Sequence, residues 1–180
     1  PENINPLDEF GVVRAGSVLD IAREAQIIIT CLPSVKSIES VYKDEQGLIL
    51  NAAEGSILID CSSGNPVLTR ELGVLANKRG IDMVDAPLLR GVDDAWAGTV
   101  QLVVGGDPEV LAKCEKVFDA VAEDIIVAGP LGNAHTIKAL NNQVTLSNHV
   151  AVCESFTVAK KMGIDLNTLF RVLDTSMASS

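Results

Sequence analysis

Short apolar runs alternate with amphipathic segments along the first 130 residues of the chain. The runs are rich in Ile and Val, a composition typical of β-strands that are covered on both faces. The segments between them place apolar residues three and four positions apart, which predicts helices. This alternation predicts an α/β fold with a mostly parallel sheet and helices on its faces. The predicted strands are AQIIIT (25–30), SILID (56–60), IDMVDA (81–86), TVQLVV (99–104) and DIIVA (124–128), and the predicted helices lie at 35–48, 66–80 and within GGDPEVLAKCEKVFDAVAED.

The pattern changes after Gly129. From about 133 to 162 apolar residues recur at helical spacing only, which predicts one long helix. Gly163 stands at its expected C-cap, and Asp165 is the expected N-cap of a second helix. Because these two helices cannot bury their own apolar faces, we place a domain boundary near residue 130. We expect an α/β domain over 1–130 and the start of an all-α domain over 131–180.

Composition and charge exclude several classes of partner. The 180 residues are 47% hydrophobic, which is enough for a sizeable core, and they carry a net charge of −10 without any basic run, so no nucleic-acid partner is expected. No apolar stretch reaches the roughly 18 residues of a membrane span. The first ten residues also lack a signal-peptide profile, so we expect no membrane association and a cytoplasmic location. No metal site is expected, and four widely spaced cysteines are predicted to be buried and reduced: Cys31, Cys61, Cys114 and Cys153.

Three loops that follow predicted strands have unusual sequences: CLPSVKS, CSSGNP and APLLRGVDDAWAGT. Loops at the carboxyl ends of parallel strands are where such folds place their chemistry, because backbone groups and helix N-termini converge there. Each loop also has a purely structural interpretation. A proline ends a strand, Ser-Ser-Gly-Asn-Pro caps a helix, and Arg90 with Gly91 forms an exposed turn. Taken singly, the loops indicate no function.

Together with GNAHTIKALNN (132–142), the loops resemble the β-hydroxyacid dehydrogenases. The shared order is L-P, D-x-S-S-x-x-P, D-A-P-x-x-x-G-x-x-x-A-x-x-G-T, V-G-G-D and G-P-x-G-x-x-x-x-x-K-x-x-N-N. This superfamily includes 3-hydroxyisobutyrate, tartronate semialdehyde, threonate and 6-phosphogluconate dehydrogenases. The resemblance implies a Rossmann-like domain and an oxidoreductase that transfers a hydride between a small β-hydroxyacid and NAD or NADP. It also implies a homodimer or homotetramer that pairs through the helical domain.

The resemblance assigns roles to individual residues. Lys138 falls on the family's catalytic lysine, which exchanges a proton with the substrate oxygen while hydride passes between substrate and nicotinamide. Asn142 matches the asparagine that holds the substrate, and helical spacing places it on the same face as Lys138. The residues that match positions lining the dinucleotide are Leu32, Pro33, Ser37 and Ser63.

The third loop departs from the family pattern. Many relatives read D-A-P-V-S-G-G, and their Ser-Gly-Gly grips the substrate carboxylate. Here Leu89 replaces the serine and Arg90 the middle glycine, while Gly91 is kept. A guanidinium binds a carboxylate bidentately, so we expect Arg90 to help anchor the acidic end of the substrate, with a plain exposed turn as the alternative. The variant is more similar to the sugar-acid branch than to 3-hydroxyisobutyrate dehydrogenase, and Ala134 stands where relatives have a glycine.

A lysine suits this chemistry if its pKa is lowered. Oxidising an alcohol by hydride transfer needs a base for the hydroxyl proton, and the reverse reaction needs an acid. A lysine is a ready acid but a poor base unless burial or neighbouring cations lower its pKa. The alternative for Lys138 is an ordinary surface lysine. His135, one turn earlier, is predicted only to pack or to cap the helix.

The elements that open a dinucleotide-binding fold are missing from the sequence. No G-x-G-x-x-G occurs, and residues 11–25 resemble the segment after the second strand of such a fold. We therefore expect a piece of a longer protein that lacks its first strands and most of its helical domain and is inactive alone. In the order 3-2-1-4-5-6 the missing first strand lies between AQIIIT and SILID, so these 180 residues alone would have a gap there. Three outcomes are open: the rest of the protein fills the gap, the strands re-pair, or the fragment folds poorly. The sequence does not distinguish NAD from NADP.

Two other functions remain open. One is a non-catalytic scaffold that keeps only the NAD(P)-binding-like fold, and the other is a structural subunit that dimerises through the long helix. The presence of Lys138 together with Asn142 favours the enzyme.

Overall fold

The computed structural model describes residues 10–176 and 178. Residues 1–9, which belong to the segment inspected for a signal peptide, lie outside the described residues. The chain divides into two compact units, 1–138 and 139–180. The predicted domain boundary near residue 130 stays a prediction.

The described residues form six strands and eight helices, and the α/β class predicted from the sequence is confirmed. The strands are β1 (Ile27–Thr30), β2 (Ile57–Asp60), β3 (Asp82–Asp85), β4 (Leu88–Leu89), β5 (Val100–Gly105) and β6 (Ala122–Gly129). The helices are α1 (Val18–Glu24), α2 (Val35–Lys43), α3 (Leu48–Asn51), α4 (Pro66–Asn77), α5 (Val92–Ala97), α6 (Pro108–Val121), α7 (Asn133–Lys161) and α8 (Leu166–Thr175).

Strands β1, β2 and β3 lie side by side in parallel. Of the outcomes left open for the first two predicted strands, the structure shows re-pairing and no gap, because Ile27–Thr30 pairs directly with Ile57–Asp60. The ladder continues past both ends of the strands, with Ile57 N–H donating to the Gln26 carbonyl and Cys61 N–H to the Thr30 carbonyl, each at 2.8 Å. The crossover through α2 and α3 is long enough to return the chain to the neighbouring position.

The other half of the sheet contains β4, β5 and β6. Strands β5 and β6 are parallel to each other, whereas β5 meets β3 antiparallel at a single pair, Asp85 and Gly105. The short strand β4, which the sequence did not predict, pairs antiparallel with β5. The strand order is β1-β2-β3-β5-β4, with β6 on β5, so the sheet is mostly parallel as expected.

Two apolar clusters form within the described residues, and successive residues of the central strands contribute to them in turn. Leu58 and Met83 belong to the cluster with α1 to α4, and Ile59 and Val84 belong to the cluster with α6. This alternation follows from the two-residue period of a strand. Both faces of the central strands are therefore buried, which explains their continuous apolar runs.

Several local predictions can be compared with the structure. The predicted helix over 35–48 ends early, at Lys43, as α2, and a turn in which Gly47 N–H donates to the Asp44 carbonyl at 2.7 Å separates it from α3. Helix α7 confirms the predicted long helix, and Asp165 caps α8 by accepting a hydrogen bond from Thr168 N–H. Gly163 has a φ of 72°, the left-handed conformation that is common just past a helix end. Across the described part of the chain, every helix is too short or too polar to span a bilayer.

The expectation of buried cysteines is wrong for two of the four. Cys31 and Cys153 are exposed, Cys61 is half-buried and only Cys114 is fully buried, and all four are free thiols. Cys31 follows an edge strand and Cys153 lies on α7, where the apolar sequence neighbours do not cover the side chain.

Candidate functional site

Asp85 ends strand β3 and holds the start of helix α7. Its side chain is fully buried, and its two carboxylate oxygens accept hydrogen bonds from Gly132 N–H and His135 N–H, both at 2.8 Å. The first N–H groups of a helix have no partner within the helix, and the helix dipole favours a negative charge beside them. The aspartate of the D-A-P motif therefore fixes where α7 begins.

Lys138 lies in the second turn of α7, and its ammonium turns back to the loop that follows Asp85. Nζ donates a 2.8 Å hydrogen bond to the backbone carbonyl of Leu88. The side chain is half-buried, and burial lowers the pKa of Lys138 below the ordinary lysine value. A lysine in this setting gives up its proton more readily than an exposed lysine does.

Polar side chains follow the apolar residues at the carboxyl ends of β1, β2 and β3. Thr30, Asp60 and Asp85 occupy matching register positions on these strands, so all three lie on the same face of the sheet, and each is buried. The Thr30 hydroxyl is 2.8 Å from the Tyr42 hydroxyl and 3.2 Å from Asp60 Oδ1. Burial, and next the Asp60 charge, raise the pKa of Tyr42 well above its ordinary value, so Tyr42 stays protonated.

Ser62 joins this polar row to the loop between β2 and α4. Its N–H donates to Asp60 Oδ1 at 3.0 Å, and its hydroxyl accepts a 2.9 Å hydrogen bond from Leu32 N–H. Asp60 Oδ2 is buried and makes no hydrogen bond to any described residue. The loops after β1 and β2 are thus held together through one serine side chain.

His135 is buried between α7 and the same loop. Its Nε2 lies 3.1 Å from the Ser62 carbonyl oxygen, and its Nδ1 lies 2.7 Å from the Thr69 hydroxyl. Nδ1 is also 3.9 Å from Asp85 Oδ2. The residue packs and hydrogen-bonds as the sequence predicted, and it does so on another loop as well as on its own helix.

The four residues predicted to line a dinucleotide are all at the carboxyl ends of β1 and β2. Leu32 and Ser37 are half-buried, and Pro33 and Ser63 are exposed. Ser37 lies in the first turn of α2, and its hydroxyl is 2.8 Å from that of the N-cap residue Ser34. Exposed loop residues beside the N-termini of α2 and α4, at the ends of adjacent parallel strands, fit the ordinary place of a nucleotide in such folds.

The loop after β3 holds the other predicted substrate residues. Leu89 is half-buried and pairs with Gln101 of β5, and Gly91 N–H donates to Asp94 Oδ2 at 2.9 Å. Arg90 has a φ of 71°, the one positive value among the described residues other than glycines. This conformation costs an L-residue energy that a glycine does not incur.

The Arg90 guanidinium already has partners within the chain. Nη1 donates to the Thr99 carbonyl and to Glu123 Oε2, the latter at 2.8 Å. The hydrogen bond to Glu123 raises the pKa of Arg90 above its ordinary value. Both side chains are largely exposed, so the pair lies at the surface.

Asn142 lies four residues beyond Lys138 in α7 and is half-buried. It belongs to the second compact unit, whereas Lys138 is the last residue of the first unit.

Three residues of this site were given no site role by the sequence: Asp85, Ser62 and His135. Asp85 and Ser62 do stand in the D-A-P and D-x-S-S motifs, which was a signal that they matter. The hydrogen bonds of Asp85 and His135 span 47 to 73 positions of the chain, and the bond from Leu32 N–H to the Ser62 hydroxyl spans 30, so neither spacing nor periodicity reveals these partners.

Two protein-family models match the chain. The NAD-binding domain of 6-phosphogluconate dehydrogenase matches residues 1–129, and the NAD-binding domain of NADP-dependent 3-hydroxyisobutyrate dehydrogenase matches residues 132–180. Together they include both NAD and NADP and do not discriminate between these cofactors.

Two relatives are similar to the chain over nearly all of its length. The chain is 32% identical over 173 residues to an NAD-dependent L-serine dehydrogenase of Pseudomonas aeruginosa, covering 96% of this chain and 58% of that protein. It is 31% identical over 176 residues to a 3-hydroxyisobutyrate dehydrogenase of the same organism, covering 98% of this chain and 59% of that protein. The chain thus spans a little over half the length of these relatives.

A solved structure agrees with the sequence matches. The 3-hydroxyisobutyrate dehydrogenase of Mycobacterium tuberculosis with L-serine superposes with a TM-score of 0.88 at 29% identity, covering all of this chain and 61% of that one. With one family model matching residues 1–129 of its 180, the chain belongs to the family of the NAD-binding domain of 6-phosphogluconate dehydrogenase, within the β-hydroxyacid dehydrogenase superfamily.

Proposed function

We propose that the protein is an NAD(P)-dependent oxidoreductase that acts on a small β-hydroxyacid, with Lys138 as its general acid and base. The observation that carries this proposal is the position of the Lys138 ammonium, 2.8 Å from the Leu88 carbonyl beside the D-A-P loop, with a pKa lowered by burial. After losing one proton, the neutral amine can accept the hydroxyl proton of an alcohol, and the ammonium so formed can return it to a carbonyl oxygen.

The loops after β1 and β2 are the proposed site of the dinucleotide. Leu32, Pro33, Ser37 and Ser63 would contact it, and a bound nicotinamide would supply the hydride acceptor or donor. The exposed position of Pro33 and Ser63 supports this assignment, because a ligand can reach them without any rearrangement of the core. The choice between NAD and NADP is left to measurement.

The substrate is proposed to lie between Lys138 and the loop after β3. Asn142, one helical turn beyond Lys138, is proposed to hold its hydroxyl end, and residues 89–91 its carboxylate. Arg90 can contribute only if its guanidinium shares or leaves Glu123. If it does, Arg90→Ala raises KM for the acid; an unchanged KM would leave the carboxylate to the backbone of the loop.

The named relatives suggest which acids to try first. 3-Hydroxyisobutyrate and L-serine are 3-hydroxy acids that differ in the group on the central carbon, and sugar acids extend the series. The full-length protein is mixed with each acid and with NAD or NADP, and reduced nicotinamide is followed by absorbance. We expect turnover with at least one acid, and a loss of about 10²- to 10⁴-fold in kcat for Lys138→Met, as is typical when a general acid or base is removed.

The same experiment separates the enzyme from its alternatives. A folded wild-type protein that is silent on every acid but still binds the dinucleotide contradicts the proposal and favours a scaffold. A folded wild-type protein that neither turns over nor binds the dinucleotide but still self-associates favours a structural subunit. We further propose that the protein is cytoplasmic and a homodimer or homotetramer, to be checked by cell fractionation and by sedimentation velocity.

A further inference from the structure

The His135 ring connects the helix of Lys138 to the loop that carries Ser63. Its side chain is fully buried, its backbone N–H is bound by Asp85, and its ring contacts Ser62 and Thr69 on the far side. None of the roles assigned above uses this ring.

The two ring contacts are not equivalent. A carbonyl oxygen only accepts hydrogen bonds, so Nε2 must carry a proton and donate it to the Ser62 carbonyl. The Thr69 hydroxyl has one proton and two acceptors, Nδ1 at 2.7 Å and the Asn65 carbonyl at 3.0 Å. The Thr69 hydroxyl can therefore give its one proton either to Nδ1 or to the Asn65 carbonyl, whereas the Nε2 proton is donated to the Ser62 carbonyl.

Three atoms of Ser62 take part in hydrogen bonds, and their partners come from three different parts of the fold. Asp60 of β2 binds its N–H, the Leu32 N–H after β1 binds its hydroxyl, and His135 of α7 binds its carbonyl. Gly64, two residues after Ser62, packs against the His135 ring. A Cβ atom added to Gly64 would lie 2.6 Å from Cε1 of His135. The backbone on both sides of Ser63 is thus set by the His135 ring.

We propose that His135 is a positioning residue whose hydrogen bond to the Ser62 carbonyl sets the place of the Ser63 loop relative to Lys138. This inference rests on the proposed function, which assigns Ser63 to the dinucleotide and Lys138 to proton transfer. Loss of the bond frees the loop and weakens dinucleotide binding, while the acid–base group of Lys138 is retained.

Two amide substitutions test the two ring nitrogens separately. The Gln amide nitrogen reaches the place of Nε2, so His135→Gln keeps a donor for Ser62. The shorter Asn amide reaches only the place of Nδ1, so His135→Asn leaves the Ser62 carbonyl buried without a partner. Dissociation constants for the dinucleotide are measured by calorimetric titration of the full-length protein with NAD and with NADP.

We expect binding by His135→Asn to be weakened roughly five- to tenfold, as for the loss of one buried hydrogen bond, and binding by His135→Gln to change by less than about twofold. Thr69→Val removes the contacts of the hydroxyl with Nδ1 and with the Asn65 carbonyl but leaves the bond to Ser62, so it is expected to behave like His135→Gln. Thr136→Ala is the control, because the Thr136 hydroxyl donates back to the Gly132 carbonyl within its own turn of α7. The pH dependence of kcat/KM should be the same in all variants, since Lys138 is unchanged.

Hydrogen exchange gives a readout that needs no ligand. The amides of residues 61–65 should exchange faster in His135→Asn and at the wild-type rate in His135→Gln. Equal affinities and equal exchange in the two variants, or a loss in Thr69→Val as large as in His135→Asn, overturn the positioning role. A wild-type protein that binds neither dinucleotide contradicts the proposed function instead, and the exchange of 61–65 still decides whether the ring holds the loop.

Discussion

The ammonium of Lys138 and the carbonyl of Leu88 meet at 2.8 Å although 50 positions separate them in the chain. Asp85 makes this contact possible, because it fixes the first turn of the same helix just three residues before Leu88. One short segment, residues 85–88, therefore sets both the helix that carries the lysine and the carbonyl that the lysine contacts.

Replacing Asp85 tests the first half of this arrangement. Asp85→Ala removes the acceptor of two buried N–H groups, so the free energy of unfolding should fall by about 2–5 kcal/mol in urea denaturation. Asp107→Ala, which removes an exposed N-cap of α6 by losing the bond to Glu109 N–H, is the matched control and should cost about 1 kcal/mol. Equal losses in the two variants would mean that Asp85 does not hold α7.

The acid–base role of Lys138 predicts a specific pH dependence. The neutral amine is the base in alcohol oxidation, so kcat/KM in that direction should rise with pH and level off below the ordinary lysine pKa, because burial lowers it. In the direction of reduction the ammonium is the acid, so the rate should fall through the same pH range. Lys138→Arg should abolish the inflection, because a guanidinium does not titrate there.

An exposed lysine provides the control for this profile. Lys113, whose ammonium lies 3.6 Å from Asp82 and is largely exposed, can be replaced by Met without touching the site. Lys113→Met should keep the wild-type profile. A wild-type rate that does not change with pH would remove Lys138 from the proton transfer.

Backbone conformation predicts the response of Arg90. Glycine and alanine at this position both lose the ion pair with Glu123, but at a φ of 71° glycine is unstrained whereas alanine keeps the strain. Arg90→Gly should therefore melt at a temperature at or above that of Arg90→Ala in differential scanning calorimetry. An alanine variant that is the more stable of the two would contradict the left-handed conformation of Arg90.

The four thiols should differ in reactivity. Burial, followed by the neighbouring Cys31 and Asp60, raises the pKa of Cys61 to about 12, and burial raises the pKa of Cys114 as well. At pH 8 iodoacetamide should therefore label the exposed Cys31 and Cys153 first, with Cys61 slower by roughly two orders of magnitude or more. Mass spectrometry of the digested protein gives the order, and all four should react alike in urea. Labelling of Cys61 as fast as Cys31 would contradict the burial.

The local pattern of apolar and polar residues was enough to predict most of the strands and helices. It was not enough to predict which strands pair with each other. The Ile- and Val-rich runs coincide with β1, β2, β3, β5 and β6 to within a few residues, because a strand buried on both faces must be apolar throughout. The sequence could not decide between a gap and direct pairing of β1 with β2, because strand order depends on long-range contacts. The two-residue strand β4 is too short to produce a period.

In the candidate site, too, the sequence predicted single residues better than their long-range contacts. Lys138 stood out because its motif surrounds it in the sequence, and the structure places it beside the predicted loop. The attachment of Arg90 to Glu123 was not foreseen, since these residues are 33 positions apart and neither belongs to a periodic pattern with the other. His135 looked like a local cap because its contacts with Ser62 and Thr69 come from a segment more than 60 positions earlier.

The register of the three parallel strands limits how this part of the chain can change in length. Thr30, Asp60 and Asp85 face one side together only because their strands are aligned residue for residue. Deleting a single amino acid inside β2 would turn Asp60 toward the opposite apolar layer and bring a hydrophobic neighbour into its place, because side chains alternate between faces. Insertions and deletions should therefore accumulate in exposed turns such as residues 44–46, while these three strands keep a constant length in related genes.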